Sequence, residues 1–308
     1  MAAGATAFAQ ESVGGAGAAS TADAGTPAPW AVVAWTVAGV LALGVLWRAR
    51  WFALLPRVGP AWPLRAEPSM AAFAAAFLAS AAGAWAAWRA FGIVDGGTGA
   101  GALPRQAAGA LGSQAAQLLV VAVIWFLPGV RARGASTVVA RGGVHRHPCG
   151  VGEALLMAAA VALLAWPVTQ GIGGAISMVQ RWMGAPPPQV GHETLLAIQA
   201  SGPGDPWWWA AIAGAAIGAP VVEEFLWRGF LQQGLKATGI GVRPAVAVTA
   251  CLFALIHLPA LPEGARVGGV ATLVVLGVAW GLLYERTGRI AAPIMAHAAF
   301  NVANLLIA

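Results

Sequence analysis

Charge is what this chain lacks most. Lysine, arginine, aspartate and glutamate make up 9% of its 308 residues, against roughly 25% in soluble domains. With 59% hydrophobic residues and a mean hydropathy of +0.74, that shortage excludes an ordinary soluble fold. Cysteine is equally scarce. Cys149 and Cys251 are the only two; they match no metal-ligand spacing and cannot form a disulfide framework, so both read as incidental. Acids number eleven, most of them in loops. The 17 lysines and arginines lift the isoelectric point to about 10.9. All but Arg228 fall between apolar runs, where they act as topology signals rather than as a nucleic-acid patch. No nucleic-acid partner is expected. Residues 1–28 contain no lysine or arginine and no apolar core, so they form no complete signal peptide. The small residues of Thr6-Ala7-Phe8-Ala9-Gln10 resemble the end of one, as a start codon assigned too late would leave it. Otherwise the segment reads as a flexible tail.

Long apolar runs are what the chain has instead. Spans are expected near 30–47, 69–88, 107–130, 153–175, 207–236, 243–259, 267–284 and 290–307, each able to cross ~30 Å of hydrocarbon. The expected fold is therefore all-α: a polytopic membrane protein of about eight transmembrane helices, with the chemistry in its C-terminal half. Four regions follow: the tail 1–28, N-terminal helices 29–175, a Pro-rich loop 176–206, and a helical core 207–308. Loops from Arg48 to Arg65 and from Arg131 to Arg146 carry half of the arginine, and Trp207, Trp208 and Trp209 mark an interface. With the N-terminus outside, the inner loops hold 12 cationic residues and the outer loops 4. The positive-inside rule then places both termini on the non-cytoplasmic face. The composition suits a bacterial cytoplasmic membrane.

The acids that matter are Glu223 and Glu224, inside an apolar run that continues through Phe225, Leu226 and Trp227. Carboxylates at membrane depth are costly and mark functional sites. Pro220 precedes them and is expected to kink the helix. Glu224 and Arg228 are four residues apart, share a face and can pair. Glu223 is rotated ~100° away and has no such local partner, which suits a general base. His257 follows on the next span. The turn between the two spans centres on Gly239-Ile240-Gly241, with Glu223 17 residues before Ile240 and His257 17 after it. In an antiparallel hairpin that equality means equal depth, ~20 Å up from the turn. On the last span, His297 and Asn301 form a polar stripe four residues apart, 9 and 13 residues past Gly288. Gln114, Gln117, Thr169 and Gln170 of the earlier spans read as interhelical hydrogen-bonding groups rather than as the lining of a path.

These motifs resemble the CPBP (CAAX protease and bacteriocin-processing, or Abi) family of intramembrane glutamic endopeptidases. Its EExxxR, FxxxH and HxxxN signatures read here as Glu223-Glu224-Phe225-Leu226-Trp227-Arg228, Phe253-Ala254-Leu255-Ile256-His257 and His297-Ala298-Ala299-Phe300-Asn301. The stretch from Gly281 to Ile290, leading into Pro293, is similar to the family as well. The resemblance implies peptide-bond hydrolysis within the membrane, on a peptide or a membrane-protein segment. Carried over by position, Glu223 and His257 would activate water, and His297 and Asn301 would hold it or stabilise the oxyanion. Glu224 and Arg228 would support the helix, and Phe253 would orient His257. No cofactor is expected. Two histidines and a glutamate could ligate zinc, but no HExxH occurs. A catalytically idle scaffold or bacteriocin-immunity protein, and a proton-coupled transporter, are the alternatives; neither needs a base and oxyanion donors at one depth.

Overall fold

A computed structural model describes residues 29–48, 62–93, 102–127, 149–187 and 193–307. The tail 1–28, the segment 49–61 and the arginine-rich stretch 131–146 lie outside them. Helices are built where the apolar runs are: α1 (Pro29–Arg48), α2 (Ala66–Ala90), α3 (Leu103–Phe126), α4 (Val151–Trp182), α5 (Glu193–Gln199), α6 (Pro206–Ala237), α7 (Val242–Ile256), α8 (Arg266–Thr287) and α9 (Ala291–Ile307). No strand occurs among the described residues. Six helices, α2, α3, α4, α6, α7 and α8, are long and apolar enough to cross a membrane, while α1 and α9 are shorter apolar helices. Among the described residues each of the eight expected spans contains a helix, and six of these helices meet the length for crossing.

Several boundaries differ from expectation; the third helix, for one, begins at Leu103 rather than at 107. The fourth span continues to Trp182, about two turns past residue 175, and the expected loop after it contains the short helix α5. The run from Val151 to Trp182 stays predominantly apolar, although Gln180 and Arg181 occupy its last turn, and Pro167 inside it does not stop it; neighbouring helices and local adjustment satisfy the backbone groups a proline frees. The sixth span ends its α-helix at Ile256, then tightens into a 3₁₀ turn over Leu258–Ala260.

Small residues set how the helices cross. Gly83 of α2 and Gly112 of α3 face each other so closely that a Cβ on either would collide with the other's carbonyl oxygen. Gly39 lies on the Pro167 carbonyl, Gly171 on the Trp35 carbonyl, and Gly277 on Ala250. Such contacts substitute for hydrophobic driving force, which lipid does not supply between helices. The outcome is an α2–α3 hairpin against α6, a central α4 packed by α1, α8 and α9, and an α7–α8 pair closing the other side. Large side chains of α1 such as Trp30, Val33, Val40 and Leu41 remain exposed, as suits a helix facing lipid.

Polar locks tie the turns of the C-terminal half. Gly239 and Gly241, with φ of 95° and 86°, take the left-handed conformations that join α6 to α7 in a short turn. At the foot of α8, Glu285 has a fully buried side chain and accepts from Gln232 at 2.8 Å, Gln233 at 2.9 Å and Lys236 at 2.7 Å. That network fastens α6 to α8 below the site. Outside the spans, Cys149 is partly buried, and desolvation followed by the nearby Glu153 carboxylate pushes its thiol up. A protonated, inert thiol agrees with the incidental reading.

Candidate active site

The second acidic position explains itself first. Glu224 and Arg228 have no exposed side-chain surface. Arg228 Nη1 donates to Glu224 Oε1 at 3.1 Å. Its Nε lies 3.0 Å from Oε2, close but not aligned as a hydrogen bond. Arg228 Nη2 reaches the Gly277 carbonyl of α8 at 3.2 Å, and the Phe253 ring lies 5.1 Å from the guanidinium carbon. Burying both charges is tolerable because each is paired and hydrogen-bonded. Glu224 also does something its spacing did not reveal. Its Oε1 accepts from His297 Nδ1 at 2.9 Å, so the pair is a platform for the histidine of α9. No signal within the α6 sequence points across to a side chain 73 residues away.

His297 is held on three sides. Trp280 of α8 stacks on it at 6.2 Å and 21°, and Phe253 of α7 meets it edge-on at 6.3 Å. With Nδ1–H donated to a carboxylate, Nε2 is left for the cavity, where it lies 3.9 Å from Glu223 Oε2. Glu223, with a quarter of its side chain exposed, points into that cavity rather than toward Arg228. The missing partner of Glu223 therefore comes from another span, as the sequence implied.

His257 sits at the C-terminal end of α7 rather than inside the helix. Its Nδ1 is 2.6 Å from the Phe253 carbonyl. A carbonyl only accepts, so Nδ1 carries a proton, and Nε2 is the ring nitrogen left to face a ligand. The Phe253 ring lies 4.6 Å away, centroid to centroid. Thus Phe253 touches His257 with both its ring and its backbone.

Asn301 is positioned by an irregularity in α6. The helix is interrupted by π-turns at Gly214–Gly218 and Phe225–Gln232, where hydrogen bonds skip an extra residue, a device frequent at functional sites. The Ala219 N–H reaches back to the Gly214 carbonyl. In that register the donor for the Ala215 carbonyl would be residue 220, which is proline and has no N–H. Asn301 Nδ2 supplies the missing donor at 2.9 Å. Pro220 thus acts by creating a vacancy in the backbone ladder that an α9 side chain fills.

Gln114 of α3 performs a parallel task, donating to the Gly214 carbonyl at 3.2 Å. It makes the interhelical bond expected of it, but it also lines the cavity, which the sequence reading set aside. Thr169 bonds within its own helix, to the Trp166 carbonyl, not across helices.

Glu223, Phe253, His257, His297 and Asn301 all line one cavity of about 580 Å³, a volume in the range of ligand sites. Glu224 and Arg228 lie behind its wall. Among the described residues, no group of three His, Cys, Asp or Glu side chains is spaced to hold a metal ion. The donors facing the cavity are the carboxylate of Glu223 and the ring nitrogens of two histidines, with one nitrogen of each ring already bonded to protein. A carboxylate, two imidazoles and an amide gathered from α6, α7 and α9 can accept a proton from water and donate to a developing oxyanion.

No curated protein and no solved structure matches the chain. A family model does match. It is the one for type II CAAX prenyl endopeptidase, Rce1-like, and it covers residues 205–303, the stretch that holds every one of these motif residues. The matched stretch, α6 to α9, is about a third of the chain, and over it the sequence is similar to that family.

Proposed function

We propose that the protein is an intramembrane endopeptidase that hydrolyses a peptide bond with water activated by Glu223 and His257. The observation that supports this best is the lining of one membrane-depth cavity by Glu223, His257, His297 and Asn301. Glu223 and the accepting Nε2 of His257 take the proton as the water oxygen bonds to the carbonyl carbon. The carbonyl oxygen becomes an oxyanion, which the Asn301 amide and, in its imidazolium form, His297 Nε2 stabilise. As the C–N bond breaks, the proton passes to the leaving amine, and a carboxylic acid and an amine result. Glu224 with Arg228 serves as the support that aims His297, and Phe253 orients His257. The proton inventory closes on these side chains without a cofactor.

The test is direct. Glu223→Ala and His257→Ala should each abolish cleavage by the purified protein while insertion and unfolding midpoint remain near wild type. Equal cleavage by wild type and Glu223→Ala would end the reading. Substrate is sought by trapping with Glu223→Gln in the native membrane. We further propose a bacterial cytoplasmic membrane with both termini on the outer face, from the excess of inner cationic residues. A C-terminal reporter active only in the cytoplasm would overturn that orientation. The division at residues 28, 175 and 206 belongs to the same proposal, with 207–308 as the hydrolytic core.

A further inference from the structure

Four of the α6 residues that line the cavity stand at intervals of four: Ala211, Ala215, Ala219 and Glu223. A regular α-helix cannot keep that spacing on one line. It turns ~100° per residue, so by Glu223 the line would have drifted ~120° away from Ala211. The π-turn at Gly214–Gly218 lies between the two. It takes one extra residue into its turn and so sets the helix back by about one residue's rotation, ~100°. Ala211 and Glu223 then fall within ~20° of each other. Without the π-turn, the cavity position would pass to Val222, one residue earlier. Val222 is instead buried, in the cluster that α6 forms with Ala72 and Ala76 of α2 and Val121 of α3.

A π-turn is a rare departure from α-helical bonding, and this one is held from outside. Two of its carbonyls accept from side chains of other helices: Ala215 from Asn301 of α9 at 2.9 Å, and Gly214 from Gln114 of α3 at 3.2 Å. The Gly214 carbonyl also accepts from the Ala219 N–H, the bond that closes the π-turn. The Gln114 amide is tightly seated. A Cβ on Gly218 would collide with it, so the glycine at 218 is what lets the α3 side chain reach the turn. Asn301 already belongs to the proposed reaction. Gln114 lies on α3, outside the matched residues 205–303.

We infer that Gln114 is a positioning residue for the hydrolysis: by holding the Gly214–Gly218 π-turn it sets the rotation of α6 that turns Glu223, and not Val222, into the cavity. The first half of the chain thereby aims the general base of the second. The consequence for turnover rests on the endopeptidase reading; the rotation does not.

Thiol labelling reads the rotation. Full-length protein carrying Cys149→Ser and Cys251→Ser is placed in lipid nanodiscs, with Val222→Cys or Glu223→Cys added singly. Reaction with a small water-soluble methanethiosulfonate is followed by mass spectrometry. Glu223→Cys should react about tenfold faster than Val222→Cys, since access governs the rate. Gln114→Met keeps the volume and removes the donor. Adding it should slow Glu223→Cys and speed Val222→Cys until the two rates are similar. Gly218→Ala displaces the Gln114 amide instead of removing it; it should act alike, and it replaces Gln114→Met if that variant fails to fold. Turnover is read with Glu223 in place, on a fluorogenic S-farnesyl peptide ending Cys-Val-Ile-Met. There Gln114→Met should lower kcat by roughly 10- to 100-fold, the usual effect of a misaimed group, with KM near wild type. Unchanged labelling in a folded variant would overturn the inference. So would a raised KM at wild-type kcat, which would make Gln114 a substrate contact. Shifted labelling with no cleavage even by wild type would uphold the positioning and remove the endopeptidase reading.

Discussion

The Glu224–Arg228 pair gives the sharpest quantitative test, because its two partners are not equivalent. Arg228 depends on Glu224 for its counter-charge, with the Gly277 carbonyl and the face of the Phe253 ring besides. Glu224 has a second partner, His297 Nδ1 at 2.9 Å. Replacing Glu224 with methionine keeps the volume and strands a fully buried guanidinium, which should cost about 3–5 kcal/mol. Since ~1.4 kcal/mol is tenfold, the unfolded population rises by roughly two to three and a half orders of magnitude. Arg228→Met leaves the carboxylate paired with the histidine and should cost clearly less. The double variant Glu224→Met/Arg228→Met removes both charges, and well-packed apolar replacements of buried pairs are often neutral, so stability should return to within ~1 kcal/mol of wild type. Activity should not return with it. Methionine cannot accept from His297 Nδ1, so the ring loses the bond that aims Nε2 into the cavity. Reversible unfolding in mixed detergent–SDS micelles measures the first quantity, and peptide turnover the second. A single Glu224→Met variant that loses under ~1 kcal/mol would refute the stranded-charge reasoning. A double variant with wild-type kcat would refute the positioning role of Glu224.

Two further outcomes follow from the packing. Asn301→Ala should lower turnover one to three orders of magnitude, near the ~10²–10³ seen for an oxyanion donor. It also leaves the Ala215 carbonyl without its donor, at a cost of about 1–3 kcal/mol; a drop in stability with turnover unchanged would deny Asn301 its chemical role. Gly112→Leu should separate α2 from α3, because even a Cβ there collides with the Gly83 carbonyl. A lowered unfolding midpoint is expected, and a midpoint equal to wild type would show that this crossing is not close-packed.

Much of the architecture follows from one-dimensional pattern. Hydrocarbon thickness makes each long apolar run a helix, because no other backbone arrangement within one segment satisfies its own N–H and C=O groups. Hence each expected span contains a helix among the described residues, and the Glu224–Arg228 bond is present four residues apart as a helix requires. The depth argument for Glu223 and His257 also needed no coordinates: a hairpin with a short glycine turn has a fixed rise per residue, and both residues line the same cavity. Helix ends were less legible. Trp182 ends α4 where an apolar run fades gradually, and the helix passes through Gly171, Gly173 and Gly174 just before residue 175 without stopping.

What the chain alone determined was therefore local and periodic: the spans, the short turns, the four-residue ion pair and the order of the motifs. What only the tertiary structure decided was which side chain answers which across helices. Glu224 was assigned to its own helix, yet its position is also set by His297, because a buried carboxylate with two oxygens can serve two partners. Pro220 reads in sequence as a kink, but in three dimensions it is a missing N–H that Asn301 replaces. Gln114 joins the cavity because α3 packs on the π-turn it hydrogen-bonds. Periodicity reports the direction a residue faces on its own helix. It cannot report the neighbour found there, since that depends on how every other helix is rotated and packed.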